Sequence, residues 1–305
     1  MPASSASGAA TLGVPHSQPE NSAAHSFLVG VDSDGCVFDT MECKHKECFI
    51  PATIRYWGLQ AVSRYARQAA EFVNLYSAWR GTNRWPALVK TLDLLAAMPA
   101  VQARGFCVPP LPAVRALVQE EVAPSNLTLV RRIAQTGDPE LERALEWSEA
   151  VNRAIEEIVH GISPFGQART SLERMASEAQ VVVVSQTPTE ALEREWREHG
   201  IDQFVSAING QEMGTKQEHL VKAGAASYPA GHVLMIGDAL GDVAAARAVG
   251  ARFFPIVPGA EDASWSLFEK EALGRFFDGG YTAAYEAGLL VAFQEALPSR
   301  PPWER

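Results

Sequence analysis

Five short, largely apolar segments are spaced along the chain, at residues 27–31, 181–184, 203–208, 232–236 and 252–257. Segments of this length and composition are typical of strands that are buried on both faces of a parallel sheet. Helical spacing of apolar residues follows the later strands, at 189–199, 216–223 and 242–249. Strands that alternate with helices predict a doubly wound, Rossmann-like α/β sheet, in which ligands bind at the carboxyl ends of the strands.

Residues 41–165 break this alternation. Apolar side chains recur there at a helical spacing, as at Leu141, Ala144 and Leu145, and prolines interrupt the segment near residues 109–112. The pattern predicts an all-helical domain inserted between the first and second strands. The α/β core is then predicted to comprise residues 27–40 and 166–305, with a C-terminal helical extension from about residue 261. Residues 1–26, rich in Ala, Ser, Gly and Pro, are predicted to be a disordered tail.

Composition narrows the choice of partners and location. Hydrophobic residues make up 47% of the 305 residues and charged residues 20%, as in ordinary globular proteins. The formal net charge of −10 disfavours nucleic acid as a partner. No apolar run is long enough to span a membrane, and no secretory signal is recognisable, so we expect a cytoplasmic protein. The sequence indicates no particular oligomeric state.

The tetrapeptide Asp32-Ser33-Asp34-Gly35 directly follows the first predicted strand. Two carboxylates so close together repel each other unless a cation lies between them. Mg²⁺ is such a cation, since it prefers oxygen ligands and usually binds one or two carboxylates together with substrate phosphate. The alternative is a structural turn with a capping aspartate, and the tetrapeptide alone does not decide between the two.

Other polar residues follow the later strands. Asp238 and Asp242 come after 232–236, Ser185 ends the valine-rich strand 181–184, and Lys216 opens a predicted helix. Each also has a structural interpretation: Asp242 and Ser185 suit helix N-caps, and Lys216 suits a solvated surface. Parallel strands end at one edge of a sheet, so residues at several strand ends can form one site.

These features in this order resemble the four motifs of the haloacid dehalogenase-like (HAD) superfamily. Those motifs are a strand with Asp-x-Asp-Gly, a strand ending in Ser or Thr, a Lys at a helix start, and Gly-Asp with a second acid. The resemblance covers residues 27–40 and 166–258. In the first motif the chain departs from the family pattern only at Cys36. Thr is commoner at this position, which is not a catalytic one.

The resemblance implies phosphoryl transfer in two steps, from a small phosphorylated metabolite to Asp32 and then from Asp32 to water. Asp32 would be the nucleophile that forms an aspartyl-phosphate, and Asp34 would serve as general acid and then general base. Ser185 and Lys216 would hold the phosphoryl oxygens.

The resemblance also implies a Mg²⁺ cofactor. Its ligands would be the carboxylates of Asp32 and Asp238 and the backbone carbonyl of Asp34, with Asp242 joining them or steadying them from the next layer. The helical insertion corresponds to a HAD cap, a domain that closes over the site and selects the substrate.

Within the insertion, the segment from Trp79 to Trp85 contains Arg80, Asn83 and Arg84. These residues, with Gln186 beside Ser185, are predicted to bind the remainder of the substrate, including a second anionic group. The alternative is that the tryptophans pack inside the cap and the arginines are solvated.

Several other reactions occur in the same superfamily. HAD dehalogenases lack an acid at the position of Asp34, because a halide leaving group needs no proton, so the presence of Asp34 favours phosphate chemistry. A phosphonatase would need a cap lysine, for which Lys44, Lys46 and Lys90 are candidates by position. A sugar phosphomutase is also open, and a non-catalytic HAD-fold binding or regulatory protein is the alternative of another class. The predicted function is therefore a phosphatase that acts on a small phosphorylated metabolite.

Overall fold

The computed structural model describes residues 25–120 and 124–304 of the chain. Its strands form one sheet, and every neighbouring pair is parallel. The strands are β1 (Phe27–Val31), β2 (Ala179–Val184), β3 (Ala207–Asn209), β4 (Val233–Gly237) and β5 (Arg252–Pro255), in the spatial order β3-β2-β1-β4-β5. The predicted α/β fold class is confirmed. Most of the predicted tail lies outside the described residues.

Alternate residues of each strand enter two different hydrophobic clusters. Val29 and Val181 belong to one cluster, whereas Leu28 and Val182 belong to the other. Side chains of a strand point alternately to the two faces of its sheet, so both faces are buried. This double burial explains why the strands appear in the sequence as continuous apolar runs.

Helices fill the segment between β1 and β2. They are α1 (Thr40–Cys43), α2 (Ile50–Tyr56), α3 (Ser63–Asn74), α4 (Arg84–Ala97), α5 (Pro99–Gln102), α6 (Pro112–Gln119), α7 (Asn126–Thr136) and α8 (Pro139–Ile158). A turn of π-helix, Lys44–Phe49, joins α1 to α2. The buried apolar residues of this segment, from Ile50 to Val151, form a cluster separate from the two clusters that cover the sheet. The insertion therefore has a core of its own.

The insertion leaves and re-enters the sheet domain at neighbouring points. Phe38 forms an antiparallel bridge with Pro164, and the backbone N–H of Phe165 donates to the carbonyl of Val37 at 2.9 Å. The two connections thus run side by side beneath the helical domain.

The remaining helices cover the sheet. They are α9 (Ala168–Glu178), α10 (Thr189–Glu198), α11 (Lys216–Lys222), α12 (Leu240–Ala248), α13 (Glu261–Leu267), α14 (Leu273–Phe277) and α15 (Ala283–Ala296). Helices α9, α10, α13 and α14 bury side chains against one face, and α11, α12 and α15 bury theirs against the other. None of the helices in the described ranges is both long and apolar enough to cross a membrane.

One predicted strand is only partly right. We expected a strand over residues 203–208, but Asp202–Phe204 is a turn of 3₁₀-helix and β3 is limited to Ala207–Asn209. β3 is one of the two edge strands of the sheet, where a strand needs to pair with one neighbour only.

Candidate active site

The polar residues predicted from the strand ends do converge at one edge of the sheet. Asp32 directly follows β1, Ser185 follows β2, and Asp238 follows β4. Lys216 opens α11, whose first turn is held by a capping box between Thr215 and Glu218.

Lys216 joins two of the acidic residues. Its Nζ lies 2.6 Å from Oδ2 of Asp32 and 2.5 Å from Oδ1 of Asp242, and Asp242 is completely buried. Although burial opposes the charged ammonium, Asp242 and Asp32 raise the pKa of Lys216 above its ordinary value. Lys216 is therefore a largely enclosed, ion-paired cation of the site and not a solvated surface lysine.

Asp32, Asp238 and Asp242 each offer a carboxylate oxygen, and these atoms all lie within 4.8 Å of one another. Burial raises the pKa of Asp32. Lys216 lowers this pKa, whereas the charges of Asp242 and Asp238 raise it, and the net shift is upward. Asp242 approaches Gly237 so closely that a Cβ there would lie 2.5 Å from the Cβ of Asp242. A glycine at the end of β4 is what allows this packing of carboxylates.

A cation from the insertion reaches the same cluster. Arg80 donates from Nε to Oδ2 of Asp238 at 2.6 Å and from Nη1 to the carbonyl of Leu75 at 2.9 Å. Gly35 has φ of +72°, and a Cβ on it would lie 2.5 Å from Oδ2 of Asp238 and would overlap the Arg80 guanidinium. The glycine of the Asp-x-Asp-Gly motif thus makes room for this ion pair as well as for the turn.

Asp34 is held by three donors. Oδ1 accepts from Thr40 Oγ1 and from Lys44 Nζ, each at 2.5 Å, and Oδ2 accepts from Thr187 Oγ1 at 2.5 Å. Burial opposes ionisation of Asp34, but Lys44 and the hydrogen bonds outweigh it and lower the pKa of Asp34 to about 2. In this arrangement Asp34 is a carboxylate.

Ser185 is buried, and its backbone N–H donates to the carbonyl of Asn209 at 3.0 Å. Its hydroxyl oxygen accepts from the backbone N–H of Thr187 at 3.2 Å. Among the described residues no acceptor takes the hydroxyl proton of Ser185. Ser185 can therefore donate to a ligand beside Asp32.

A cavity of about 850 Å³ lies between the insertion and the sheet edge and contains the predicted catalytic side chains. Its lining also includes Asn83, Arg84 and Gln186. Asn83 caps α4 and donates to the carbonyl of Pro124 at 3.1 Å. Gln186 donates to the carbonyl of Gly214 at 3.0 Å.

Arg84 and Arg80 have different surroundings. Arg84 lines the cavity, and its Nη1 donates to Ser148 Oγ at 2.7 Å and to Asn152 Oδ1 at 2.8 Å. Burial lowers the pKa of Arg84 to about 10, and no carboxylate of the described chain pairs with it. Arg80 is buried against Asp238 and does not line the cavity, so its geometry favours holding Asp238 over contacting substrate.

Two residues at the site escape the motif-based prediction. Lys44 is a candidate by position only, and its contact with Asp34 follows from the docking of the insertion, which the sequence does not encode locally. Glu195 lines the cavity from α10. A signal for Glu195 exists: it lies three residues after Leu192 and one before Trp196, so it falls on the apolar face of its helix.

Comparisons with known proteins give structural likenesses only. No protein-family model matches the chain, and no curated protein matches it in sequence. Solved structures similar to the chain include a haloacid dehalogenase-like family hydrolase from Streptococcus pneumoniae, with 15% identity, coverage of 78% of this chain and 90% of that chain, and a TM-score of 0.42. A predicted phosphoglycolate phosphatase from Haemophilus somnus has 14% identity, coverage of 79% and 92%, and a TM-score of 0.46.

A third similar structure is a HAD-superfamily hydrolase, subfamily IA, variant 1, from Geobacter sulfurreducens, with 14% identity, coverage of 77% and 90%, and a TM-score of 0.40. Two of these three structures, those from Streptococcus pneumoniae and Geobacter sulfurreducens, carry the haloacid dehalogenase-like or HAD name.

Proposed function

We propose that this protein is a Mg²⁺-dependent phosphatase that hydrolyses a small phosphorylated metabolite through an aspartyl-phosphate. The observation that carries the proposal is the position of Lys216, whose ammonium bonds to both Asp32 and Asp242 beside the carboxylate of Asp238. A cation among three buried carboxylates, in the lining of a cavity, is the environment that a transferring phosphoryl group requires.

The acidic cluster has the donors that Mg²⁺ prefers. Asp32, Asp238 and Asp242 provide hard oxygen atoms within 4.8 Å of one another, and all three residues are buried. Asp32 and Asp238 would hold the ion with the backbone carbonyl of Asp34, and Asp242 would complete or steady this set. When bound, Mg²⁺ would neutralise charge on the phosphate oxygens.

Asp32 is the proposed nucleophile. The backbone N–H of Ser33 donates to its Oδ1 at 2.8 Å, and Lys216 holds its Oδ2, so the carboxylate has a fixed orientation. Attack of a carboxylate oxygen on phosphorus forms the O–P bond of the aspartyl-phosphate while the ester P–O bond breaks. Attack of water on phosphorus then releases inorganic phosphate and regenerates Asp32.

Asp34 is the proposed proton carrier. Its pKa of about 2 makes Asp34 a carboxylate in this arrangement, and it would take a proton from the attacking water once that pKa has risen. To protonate the leaving alcohol first, it has to bind a proton, and this requires that its contact with Lys44 loosen or that the incoming phosphate raise its pKa. Ser185 and Lys216 donate to the phosphoryl oxygens in both steps.

The cavity supports a small substrate. Its volume of about 850 Å³ is within the range of metabolite pockets. Arg84 is the proposed ligand for a second anionic group, and Asn83 and Gln186 are proposed polar contacts. Arg80 is proposed to act on substrate only indirectly, through Asp238.

The contacts of the candidate lysines do not favour a phosphonatase. A Schiff base requires a neutral amine, whereas Lys44 is paired with Asp34. Lys46 pairs with Glu42, and Lys90 lies over the ring of Trp79 at 4.2 Å. A phosphomutase would use the same nucleophile, and a binding protein would have no need of it.

The test is a screen of phosphorylated metabolites with Mg²⁺, in which wild type is compared with Asp32→Asn. We expect wild type to release phosphate from at least one ester and Asp32→Asn to lose about 10⁴-fold or more in kcat, as removal of a nucleophile does. Asp93→Asn, at an exposed ion pair with Arg115, is the matched control and should retain activity. Absence of turnover, or full activity in Asp32→Asn, would show that the proposal is wrong.

A further inference from the structure

Glu195 is connected directly to the loop that carries the two catalytic aspartates. Its Oε2 lies 3.5 Å from the hydroxyl of Ser33, the residue between Asp32 and Asp34. The same hydroxyl accepts from the indole Nε1 of Trp196 at 3.0 Å, so the Ser33 proton is directed towards Glu195. The glutamate thus lines the same cavity as Asp32 and Asp34 and contacts the residue between them.

Among the residues that the structure describes, Glu195 has no cationic partner. No lysine, arginine or histidine of the described ranges forms an ion pair with it, whereas Glu193 on the same helix pairs with Arg197. Its other oxygen, Oε1, makes no hydrogen bond to the described chain, and the residue lines the cavity. One carboxyl oxygen is therefore available to a ligand.

The charges around Glu195 determine its protonation. Burial raises its pKa, and the Asp34 carboxylate acts in the same direction, while Lys44 from the insertion and Arg194 from its own helix oppose them; the result is a pKa of about 8. Glu190, Glu198 and His199 also line the cavity. At neutral pH the carboxyl group is mostly protonated, and it can both donate and accept a hydrogen bond.

We propose that Glu195 determines specificity by binding a hydroxyl group on the leaving alcohol of the substrate, which selects hydroxylated phosphate esters over their deoxy counterparts. This inference rests on the proposed phosphatase function. A hydroxyl matches a group that both donates and accepts. An ammonium group would meet Lys44, and a carboxylate would meet Asp34, so neither suits this position as well.

Binding to the Asp32→Asn variant with Mg²⁺ present tests the inference without turnover. Glycerol 3-phosphate and propyl phosphate, which differ in their hydroxyl groups, are titrated by calorimetry. We expect about tenfold tighter binding of glycerol 3-phosphate, as one or two buried hydrogen bonds provide. Adding Glu195→Ala should bring the ratio near one, whereas Glu193→Ala should leave it unchanged. The same ratio with and without Glu195 would overturn the inference.

A pH series separates this role from a structural one. In wild type, KM for glycerol 3-phosphate should rise above about pH 8, because ionised Glu195 then repels the phosphate. Glu195→Gln, which still forms hydrogen bonds but does not ionise, should show a flat KM there. A rise that persists in Glu195→Gln would contradict the assignment. Failure of wild type to hydrolyse any ester would instead contradict the phosphatase proposal, and the binding ratio would still decide the role of Glu195.

Discussion

Arg80 of the helical insertion and Asp238 of the sheet domain form an ion pair with Nε and Oδ2 2.6 Å apart, and both side chains are only 3% exposed. The pair joins the domain that covers the cavity to a carboxylate proposed to hold Mg²⁺. Removing one partner of a buried pair is strongly destabilising, because the other charge stays buried without compensation.

Arg80→Met should therefore lower the thermal stability of the metal-free protein, by about 3–5 kcal/mol in the free energy of unfolding. Saturating Mg²⁺ should raise Tm more in this variant than in wild type, because the ion compensates a charge that Arg80 otherwise pairs. Thermal melts with and without Mg²⁺ measure both effects. Arg115→Met, at an exposed pair with Asp93, should show the wild-type Mg²⁺ shift. Equal Mg²⁺-induced shifts of Tm in wild type, Arg80→Met and Arg115→Met would show that Arg80 is not coupled to the metal site.

Lys44→Met should change how stability depends on pH. The folded-state pKa of Asp34, about 2, is below its ordinary value of 3.8, so its ion pair stabilises the fold at pH values above 3.8 and this contribution is lost as pH falls through 2. The contribution is about 2 kcal/mol. Urea denaturation from pH 5 to pH 2 should show a smaller loss of stability in the variant than in wild type.

Lys46→Met is the control for this measurement, since Lys46 pairs with Glu42 at the surface. Exposed pairs contribute little, so the pH dependence of this variant should match that of wild type. Parallel curves for Lys44→Met and wild type would mean that Lys44 does not hold the pKa of Asp34 down.

Asp34→Asn should slow the hydrolysis of esters with poor leaving groups most. General acid catalysis is worth about 10²–10⁴-fold in kcat, and an alkyl ester needs that proton, whereas p-nitrophenolate leaves without it. We expect a burst of nitrophenolate followed by slow turnover, because hydrolysis of the aspartyl-phosphate still needs the base. Stopped-flow absorbance measures the burst. An equal loss on alkyl and nitrophenyl esters would argue against the acid role.

Arg84→Met should weaken the binding of substrates that carry a second anionic group. Its guanidinium has two neutral partners on α8 and no carboxylate partner in the described chain, so an anionic group can bind there. We expect KM for a carboxylated phosphate ester to rise about tenfold or more, with little change for p-nitrophenyl phosphate. Arg143→Met, an exposed arginine of α8, is the control. An unchanged KM for both esters would favour a packing role for Arg84.

The sheet and its polar strand ends were predictable because local patterns encode them. Double burial makes β1 and β2 continuous apolar runs, and a parallel sheet necessarily brings Asp32 and Ser185 to one edge. β3 was placed less well, because Gln203 and Phe204 belong to a short 3₁₀ turn before a three-residue edge strand.

The contacts made by the insertion were not predictable in the same way. Arg80 was expected to bind substrate, and its pairing with Asp238 depends on how the whole helical domain rests on the sheet domain. The same holds for Lys44 and Asp34. Glu195 had a local signal, an acid on the apolar face of α10, but a charged residue among many on that helix does not stand out until its partners are known.

The bridge between Phe38 and Pro164 brings the two ends of the insertion together. The helical domain is thus inserted at a single point of the sheet domain. A short turn could join the two ends of the insertion without altering the strand order. Such a minimal protein would retain Asp32, Lys216 and Asp242 but would leave Asp238 without Arg80. Substrate specificity could thus be changed by inserting a different domain at this point, provided that this domain supplies a cation for Asp238.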